Sequence, residues 1–443
     1  MHTREQAKAI IDRVLSLSKA DEISIRLSGG TTSHLRFARN ATSTSGSYQG
    51  PSLNIASSFG KRTGSVKVNQ FDTDSLKRAL RRSEELASLA PEDPEHMPAL
   101  NRQNYPAVAG FSQKTADHGA EKLADWVNTC IGQAESAGVK AAGYSQTTAR
   151  YSCVANSRGL FGYHQSSGAY LSETARTDDD TGSGWAATAS HRIEDIDAPL
   201  ISRTAVNKAK LSAKARPIEP GKYVTILEPA CVANLIAMAV WFMGKRAADE
   251  GRSYFSAAAG GNRIGEKLFD ERIHIYSDPA DPNVPGSPWG SDGVPQTRRD
   301  WIKGGVLENL HVDRYWAKKT GVEPIPQPAN LIWKGRRGSV DDLVASTERG
   351  ILVTSLWYIR PVDRRTLLFT GITRDGVFWI ENGKIAHPVQ NLRWNESPIN
   401  VLGNLDAMSA SQRVAPRNWR TATAMLPAIR VKEFHFTSRS EAV

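Results

Sequence analysis

Cysteine is scarce in this sequence, and long apolar runs are absent. The chain has 443 residues and 3 cysteines, Cys130, Cys153 and Cys231, so at least one thiol has no disulfide partner. Three cysteines cannot form the disulfide framework of a small secreted protein, and we expect a reducing, cytoplasmic environment. No stretch of about 18 apolar residues occurs, so we expect no membrane partner. Residues 1–13 are charged and amphipathic, which predicts no signal peptide.

The signatures of common catalytic and metal sites are also missing. The 10 histidines form neither HExxH nor HxH, and no CxxC pair is present. There is no G-x-S-x-G nucleophile elbow, and the glycine-rich segments lack the spacing and lysine of a phosphate-binding loop. Asp278-x-x-Asp281-x-Asn283 lacks the glycine and terminal glutamate of a calcium loop, so we interpret it as an ordinary turn. The residues alone indicate no catalytic constellation.

Positive charge is in excess, with a formal net charge of +10. Such a surplus can favour nucleic acid. Here arginine and lysine are dispersed, mostly beside acids, and the densest stretches lack the interleaved aromatic residues of a base-stacking platform. We therefore predict a solvated or partner-facing surface and no nucleic-acid site.

The hydrophobic content of 40% is sufficient for a core, and the length predicts two or three domains. Helical and strand patterns do not alternate regularly, which predicts an α+β fold with antiparallel sheet. A polar stretch over 191–222 ends in proline and glycine, and we place the domain boundary there. We expect an N-terminal mixed helix and antiparallel-sheet domain over 1–215 and a sheet-rich C-terminal domain over 216–443.

Two segments of the C-terminal half stand out. Residues 229–248 are apolar nearly all round, with Trp241 among them, and this pattern predicts one long buried helix that begins at Pro229. Residues 277–295 are rich in proline and glycine. A loop of this length is usually either functional or mobile.

Several short motifs, taken in their order along the chain, resemble the TldD/PmbA (TldD/TldE) family of metallopeptidases. In the first half these are Asn156-Ser157-x-Gly159 and Gly182-Ser183-Gly184-Trp185. In the second half they are Glu250-Gly251-Arg252-Ser253-Tyr254-Phe255, Asp292-Gly293-Val294-Pro295, Gly304-Gly305-Val306-Leu307, Tyr315-Trp316-Ala317-Lys318-Lys319-Thr320-Gly321, Thr373-Arg374-Asp375-Gly376-Val377-Phe378-Trp379-Ile380-Glu381-Asn382-Gly383 and Pro388-Val389-x-Asn391-Leu392-Arg393. The ordered set is more specific than any one of its members.

The resemblance implies a particular place for a zinc site. In that family the catalytic subunit has an HExxxH motif on a helix, and a later cysteine completes the site. Counted back from Phe255, the motif positions fall at Ile236, Ala237 and Trp241, and no cysteine follows Cys231. None of these three residues can bind zinc or act as a general base. The chain therefore resembles the metal-free TldE/PmbA type, with no cofactor of its own and zinc in a TldD-type partner.

The resemblance also implies a dimer that encloses a cavity, where an unfolded peptide is held as an added strand. The partner is either a TldD-type catalytic subunit or a second copy of the chain. Two alternatives stay open: an enzyme of different chemistry, or a homodimeric binding protein on the same scaffold. As candidate substrate-binding residues we take Arg252, Tyr254, His311 and Arg374. No catalytic residue and no metal ligand is predicted.

Overall fold

The computed structural model describes residues 1–417 and 424–441. In its N-terminal half, a seven-stranded antiparallel sheet has helices on one face. The helices are α1 (Arg4–Leu17), α2 (Thr73–Leu89), α3 (Gln113–Ala116), α4 (Ala120–Ser136) and α5 (Ala198–Ser212), with a 3-10 turn at Ile193–Asp195. The strands are β1 (Glu22–Ala38), β2 (Ala41–Gln49), β3 (Ser52–Phe59), β4 (Arg62–Val68), β5 (Val139–Asn156), β6 (Phe161–Thr177) and β7 (Ser183–Ser190).

The strand β1 organises this first sheet, whose order is β4-β3-β1-β5-β6-β7 with β2 also paired to β1. The first half of β1 pairs with β3 and the second half with β2, while β5 pairs with β1 over Ser24–Ala38. Alternate side chains of a strand point to opposite faces, so Ile23, Ile25 and Leu27 are buried under the helices. The predicted shared face of these three residues is confirmed.

Helix α1 shows how local sequence starts an element. Thr3 is the N-cap, and the predicted capping box with Gln6 is present: the Gln6 backbone N–H donates to the Thr3 hydroxyl, and the Thr3 backbone N–H donates to Gln6 Oε1. The apolar residues that follow recur at helical spacing, and Ala7, Ile11 and Val14 are buried against the sheet.

The C-terminal half is built on a second, larger sheet. Its strands are β8 (Gly221–Leu227), β9 (Ile275–Ser277), β10 (Arg299–Lys303), β11 (Val306–Leu307), β12 (Leu331–Trp333), β13 (Arg349–Val353), β14 (Leu356–Asp363), β15 (Leu368–Thr373), β16 (Val377–Glu381), β17 (Lys384–Pro388), β18 (Leu392–Glu396), β19 (Leu405–Val414) and β20 (Ala424–Arg439). The helices are α6 (Pro229–Trp241), α7 (Lys245–Asp249), α8 (Arg314–Thr320), α9 (Val340–Ala345) and α10 (Pro398–Gly403). The main path is β11-β10-β9-β12-β20-β8-β13-β16-β17.

The predicted α+β class is confirmed, whereas the boundary at residue 215, between α5 and β8, stays a prediction.

The prediction of one helix over 229–248 was wrong at its C-terminal end. Helix α6 begins at Pro229 as predicted but ends at Trp241, and α7 begins at Lys245. The backbone between them leaves the helix because it pairs with His311: the His311 N–H donates to Met243 O at 2.9 Å, and the Lys245 N–H donates to His311 O at 2.8 Å. Trp241, expected in the core, is 68% exposed.

Residues 90–112 form a connector that crosses between the two halves. The segment contains no helix or strand, as its composition indicates. Glu95 accepts two hydrogen bonds from Arg246, at 2.7 and 2.8 Å. Further on, the Tyr105 hydroxyl donates to Gly293 O at 2.7 Å, and its ring lies 4.8 Å from that of Trp289. The connector therefore ties the first sheet to the C-terminal half by polar and aromatic contacts.

One buried carboxyl makes the stability of the first half dependent on pH. Glu173 on β6 is 0% exposed, and burial raises its pKa, opposed in part by the nearby Cys130 and Ser202. Between the ordinary pKa and the raised one, the unfolded chain loses a proton that the folded chain keeps. The protonated Glu173 therefore stabilises the fold fully below the ordinary pKa of a glutamate. This contribution to the free energy of unfolding is lost as the pH rises toward the raised pKa.

We expect the Glu173→Gln substitution to remove this pH dependence. The melting temperature of the wild type should fall more between pH 4.5 and pH 8 than that of the variant, because the amide has no proton to lose. Calorimetry across this range measures the difference. Glu135→Gln, at an exposed position on α4, is the matched control. Parallel curves for the wild type and Glu173→Gln would contradict the assignment.

Candidate functional site

Helix α6 lies in the core of the C-terminal half. Eight of its residues are buried, which agrees with the apolar sequence. The Cys231 thiol donates to Val353 O at 3.4 Å, and burial raises the pKa of this thiol. The Asn234 side-chain amide donates to Leu356 O at 3.3 Å. These contacts hold α6 against the ends of β13 and β14.

The three positions that the resemblance assigns to a zinc motif lie at different depths on α6. Ile236 is 2% exposed and packs in the core, Ala237 is half-buried, and Trp241 is exposed. Zinc in proteins binds thiolate, imidazole or carboxylate groups. The side chains of Ile236 and Ala237 are hydrocarbon, and the indole N–H of Trp241 can only donate a hydrogen bond. These three side chains therefore cannot serve as zinc ligands.

In place of polar ligands, this end of α6 presents an apolar pocket of about 170 Å³. Its walls are Ala237, Val240 and Trp241 from α6, and residues 327–331 from the segment that leads into β12. Pro328, Ala329 and Leu331 make the second wall largely apolar as well. The pocket can accept an apolar side chain, with the exposed indole available as an additional contact surface.

The predicted binding residue His311 lies next to the end of α6. Its backbone pairs with residues 243–245, and its ring approaches Gly244 so closely that a Cβ there would lie 3.2 Å from Nε2. Burial lowers the pKa of the imidazole, which favours the neutral form. The described contacts of His311 thus help to terminate the helix.

Arg252 and Tyr254 lie on the segment that follows α7. The Arg252 guanidinium is exposed and pairs with Glu250. Tyr254 is half-buried, and the Arg263 guanidinium lies 5.0 Å from its ring centre. Both predicted residues therefore have intramolecular partners near the surface.

Arg374, the fourth predicted residue, belongs to a different cluster, at the junction of the two halves. It precedes Asp375, whose side chain is fully buried and accepts a hydrogen bond from the Ser183 hydroxyl of β7 at 2.7 Å. Arg417 pairs with the same carboxylate, and its guanidinium lies 4.9 Å from the ring of Trp185, also on β7. Among the described residues, no contact joins Arg374 to the other three predicted residues.

Sequence reasoning missed Asp375 as the centre of this cluster. A cleft of about 360 Å³ opens beside it, between residues 212–215, 375–377 and 389–391. Asp375 has a φ of 57° and Gly376 one of 126°. Few residues other than glycine adopt this region, so the Thr373-Arg374-Asp375-Gly376 motif was a readable signal for a special turn.

The proline-rich loop 277–295 is held by contacts on both sides. The Asn330 side-chain amide donates to Asp278 O and Val284 O at 2.6 Å each. On the other side, Trp289 packs with Val154 and Leu160 of the first half. The carboxylates of Asp278 and Asp281 accept backbone N–H groups of their own loop, as expected for an ordinary turn.

Metal-binding clusters and membrane-spanning helices are both absent from the part of the chain that the structure describes. Over residues 1–417 and 424–441, no group of three or more His, Cys, Asp or Glu side chains is placed to hold a metal ion. Within the same ranges, no helix combines the length and the apolar character that crossing a bilayer requires.

Comparisons with known proteins identify relatives of both halves. Residues 220–438 match the family model described as PmbA/TldA metallopeptidase C-terminal domain, and residues 114–213 match the PmbA/TldA metallopeptidase central domain. Metalloprotease PmbA of Escherichia coli O157:H7 is 26% identical over 197 residues, which cover 43% of this chain and 41% of that protein. A metalloprotease of Methanothermobacter thermautotrophicus is 24% identical over 242 residues, 50% of each chain. The chain thus spans half or less of the length of these relatives.

A solved structure extends the likeness to almost the whole chain. The crystal structure of TldE from Thermococcus kodakarensis matches with a TM-score of 0.86, and the match covers 98% of this chain and 100% of that one. The sequence identity is 19%, so the match shows a shared fold.

We expect Asp375→Ala to destabilise the protein strongly. The substitution leaves the Arg417 guanidinium without its carboxylate, and removal of one partner from a buried ion pair costs about 3 kcal/mol. Urea denaturation should show this loss in the free energy of unfolding. Asp178→Ala, which removes a carboxylate that is 74% exposed and paired with Lys140, should change it by less than about 1 kcal/mol. Equal losses in the two variants would show that the junction contributes no more than a surface pair.

Proposed function

The chain belongs to the PmbA/TldD metallopeptidase family, and from this premise we propose that it is a subunit of the TldE/PmbA type that has no zinc of its own. Relatives named metalloproteases indicate that zinc chemistry is present in the family. The observation that carries the proposal is the chemistry of α6, where Ile236, Ala237 and Trp241 stand at the expected motif positions. A TldD-type partner would supply the metal, and this chain would supply interface and binding surface.

The proposed role in peptide binding rests on the end of α6. An unfolded peptide exposes apolar side chains that a folded protein buries. A pocket of about 170 Å³ with an exposed tryptophan on its rim matches one such side chain. Exposed aromatic residues beside a pocket are typical anchors of binding surfaces. We therefore propose that this pocket holds an apolar side chain of a peptide bound as an added strand.

A cytoplasmic location is part of the same proposal. All three cysteines are buried and unpaired, in two different halves of the molecule. Burial raises the pKa of each thiol, which makes it a poor nucleophile for disulfide exchange. Free thiols of this kind are typical of proteins from reducing compartments.

An enzyme of different chemistry on this scaffold has less support. Such a site requires polar groups that converge on one pocket. The contacts of Arg252, Tyr254 and His311 lie around α7 and the end of α6, whereas those of Arg374 lie at the junction.

Metal analysis tests the proposed division of labour. We expect the purified chain alone to contain no stoichiometric zinc and to leave an unfolded peptide intact, because Ile236, Ala237 and Trp241 offer no zinc ligand at the motif positions. The complex with a TldD-type partner should contain zinc and cleave the peptide. Inductively coupled plasma mass spectrometry and a peptide cleavage assay measure both. One zinc per chain together with cleavage by the isolated protein would refute the proposal.

We expect Trp241→Ala to weaken binding of an unfolded peptide about tenfold, since loss of an aromatic anchor costs roughly 1–2 kcal/mol. Fluorescence anisotropy with a labelled apolar peptide measures the affinity. Tyr358→Ala is the matched control, because this ring is 61% exposed and lies outside the pocket. If the two substitutions have the same effect, the pocket is not the peptide site.

A further inference from the structure

The first sheet has one face that its helices leave uncovered. The helices pack on the face that carries Ile25, Leu27 and Leu171. We call the opposite side of strands β1, β5 and β6 the open face. Its β6 side is partly covered by the C-terminal half, where Tyr170 is buried in a cluster with Ala415. By the strand register the open face carries Arg26, Ser28, Gly30, Thr32, His34 and Arg36 from β1, Tyr144, Gln146, Thr148, Arg150 and Ser152 from β5, and Ser166, Gly168, Tyr170 and Ser172 from β6.

Charge on the open face has one sign. No residue in the set just named is acidic, and three of them are arginines. Arg36 and Arg150 are exposed, and neither has a carboxylate partner among the ion pairs of the described residues. The guanidinium of Arg26 donates to Ser291 O of the loop 277–295. The face therefore has two exposed guanidinium groups available for an anionic ligand.

The strand register fixes the separation of the backbone positions of Arg36 and Arg150. Arg36 lies opposite Tyr144 in the register, and Arg150 lies six residues further along β5. At about 3.3 Å per residue, six residues correspond to about 20 Å. An extended peptide has the same rise, so side chains at positions i and i+6 of a bound strand lie on one side at this separation.

Aromatic contacts position Arg36 and distinguish the face from a nucleic-acid platform. The Arg36 guanidinium lies 5.5 Å from the Tyr144 ring centre, and the His34 ring stacks on Tyr144 at 6.0 Å. The Tyr144 hydroxyl donates to Gln146 Oε1 at 2.8 Å. Single-stranded nucleic acid binds to aromatic rings with free faces. Here protein side chains contact the ring, which favours a peptide as the ligand.

The open face borders the loop 277–295 at one end. A polar cavity of about 330 Å³ separates strands β1 and β5 from the loop 277–295, with Arg26, Ser28, Ser152 and Ser287 in its wall. The same loop packs against the second wall of the apolar pocket, since a Cβ built at Gly286 would lie 2.6 Å from Ala329 Cβ. The loop 277–295 therefore contacts the open face on one side and this wall of the pocket on the other.

We propose that the open face binds acidic segments of the unfolded peptide, with carboxylates paired to Arg36 and Arg150. The inference rests on the proposed function and narrows its substrate class to peptides with acidic side chains at i and i+6. Arginine binds a carboxylate through two parallel N–H bonds, which gives direction as well as charge. Thr148 and Ser166, which are half-buried on the same face, can bind the peptide main chain.

Binding of matched labelled peptides to the full chain tests the proposal. One unfolded peptide has glutamate at positions i and i+6, and a second has glutamine at both. We expect the acidic peptide to bind about tenfold more tightly at low salt, because each exposed charge pair contributes up to about 1 kcal/mol. The double substitution Arg36→Glu with Arg150→Glu should abolish this preference and leave binding of the glutamine peptide unchanged.

The matched control is Arg81→Glu with Arg203→Glu. These exposed arginines lie on α2 and α5, on the helical side of the sheet, and their reversal changes the net charge by the same amount. The acidic preference should persist in this control. Loss of the preference there, equal affinity of the wild type for both peptides, or displacement of the acidic peptide by a single-stranded oligonucleotide of equal charge at lower concentration would each overturn the inference.

The outcome also separates this inference from the proposed function. A wild-type chain that binds neither peptide, alone or with its partner, contradicts peptide binding itself. Equal binding of both peptides leaves the proposed function intact and contradicts only the selection of acidic segments.

Discussion

One buried carboxylate joins the two sheets of this molecule. Asp375 lies in a turn of the second sheet, yet its hydrogen-bond partner Ser183 comes from the last strand of the first sheet. Arg417 pairs with the same carboxylate and packs on Trp185 of that strand. A charge out of contact with water is stable only where it is paired and hydrogen-bonded. Satisfying this one group therefore requires the two sheets to meet at β7, and the contacts of Glu95 with Arg246 and of Trp289 with Val154 add to the same junction.

Much of the fold could be predicted because local patterns act over short distances. The capping box at Thr3 and the apolar stripe of α4 each depend on residues within a few turns of a helix. The true end of α6 could not be predicted in this way, because it depends on His311, which is far away in sequence. The same holds for Trp241, the last residue of α6, which is 68% exposed. Nor could the pairing of Asp375 with Ser183 be read from the chain, since they are 192 residues apart.

The candidate site was also predictable in part from the sequence and in part only from the three-dimensional structure. The resemblance identified the helix that would carry a zinc motif, and the residue types at its three motif positions cannot bind zinc. Only the three-dimensional structure places residues 327–331 opposite Trp241 and thereby forms a pocket. Of the four residues predicted to bind substrate, His311 pairs through its backbone with the residues that follow α6. Its described contacts are those that end the helix. The motif positions at this end of α6 thus border an apolar pocket and not a cluster of polar ligands.

The central position of β1 has a consequence for how the chain is divided. The matched central-domain model begins at residue 114, but the strand that pairs with β5 along most of its length begins at Glu22. A fragment cut at residue 114 would leave the N–H and C=O groups along that edge of β5 without partners. An open strand edge of such length recruits other chains and leads to aggregation. The segment before residue 114 is thus an integral part of the first sheet, and the unit recognised by sequence comparison is smaller than the unit that can fold.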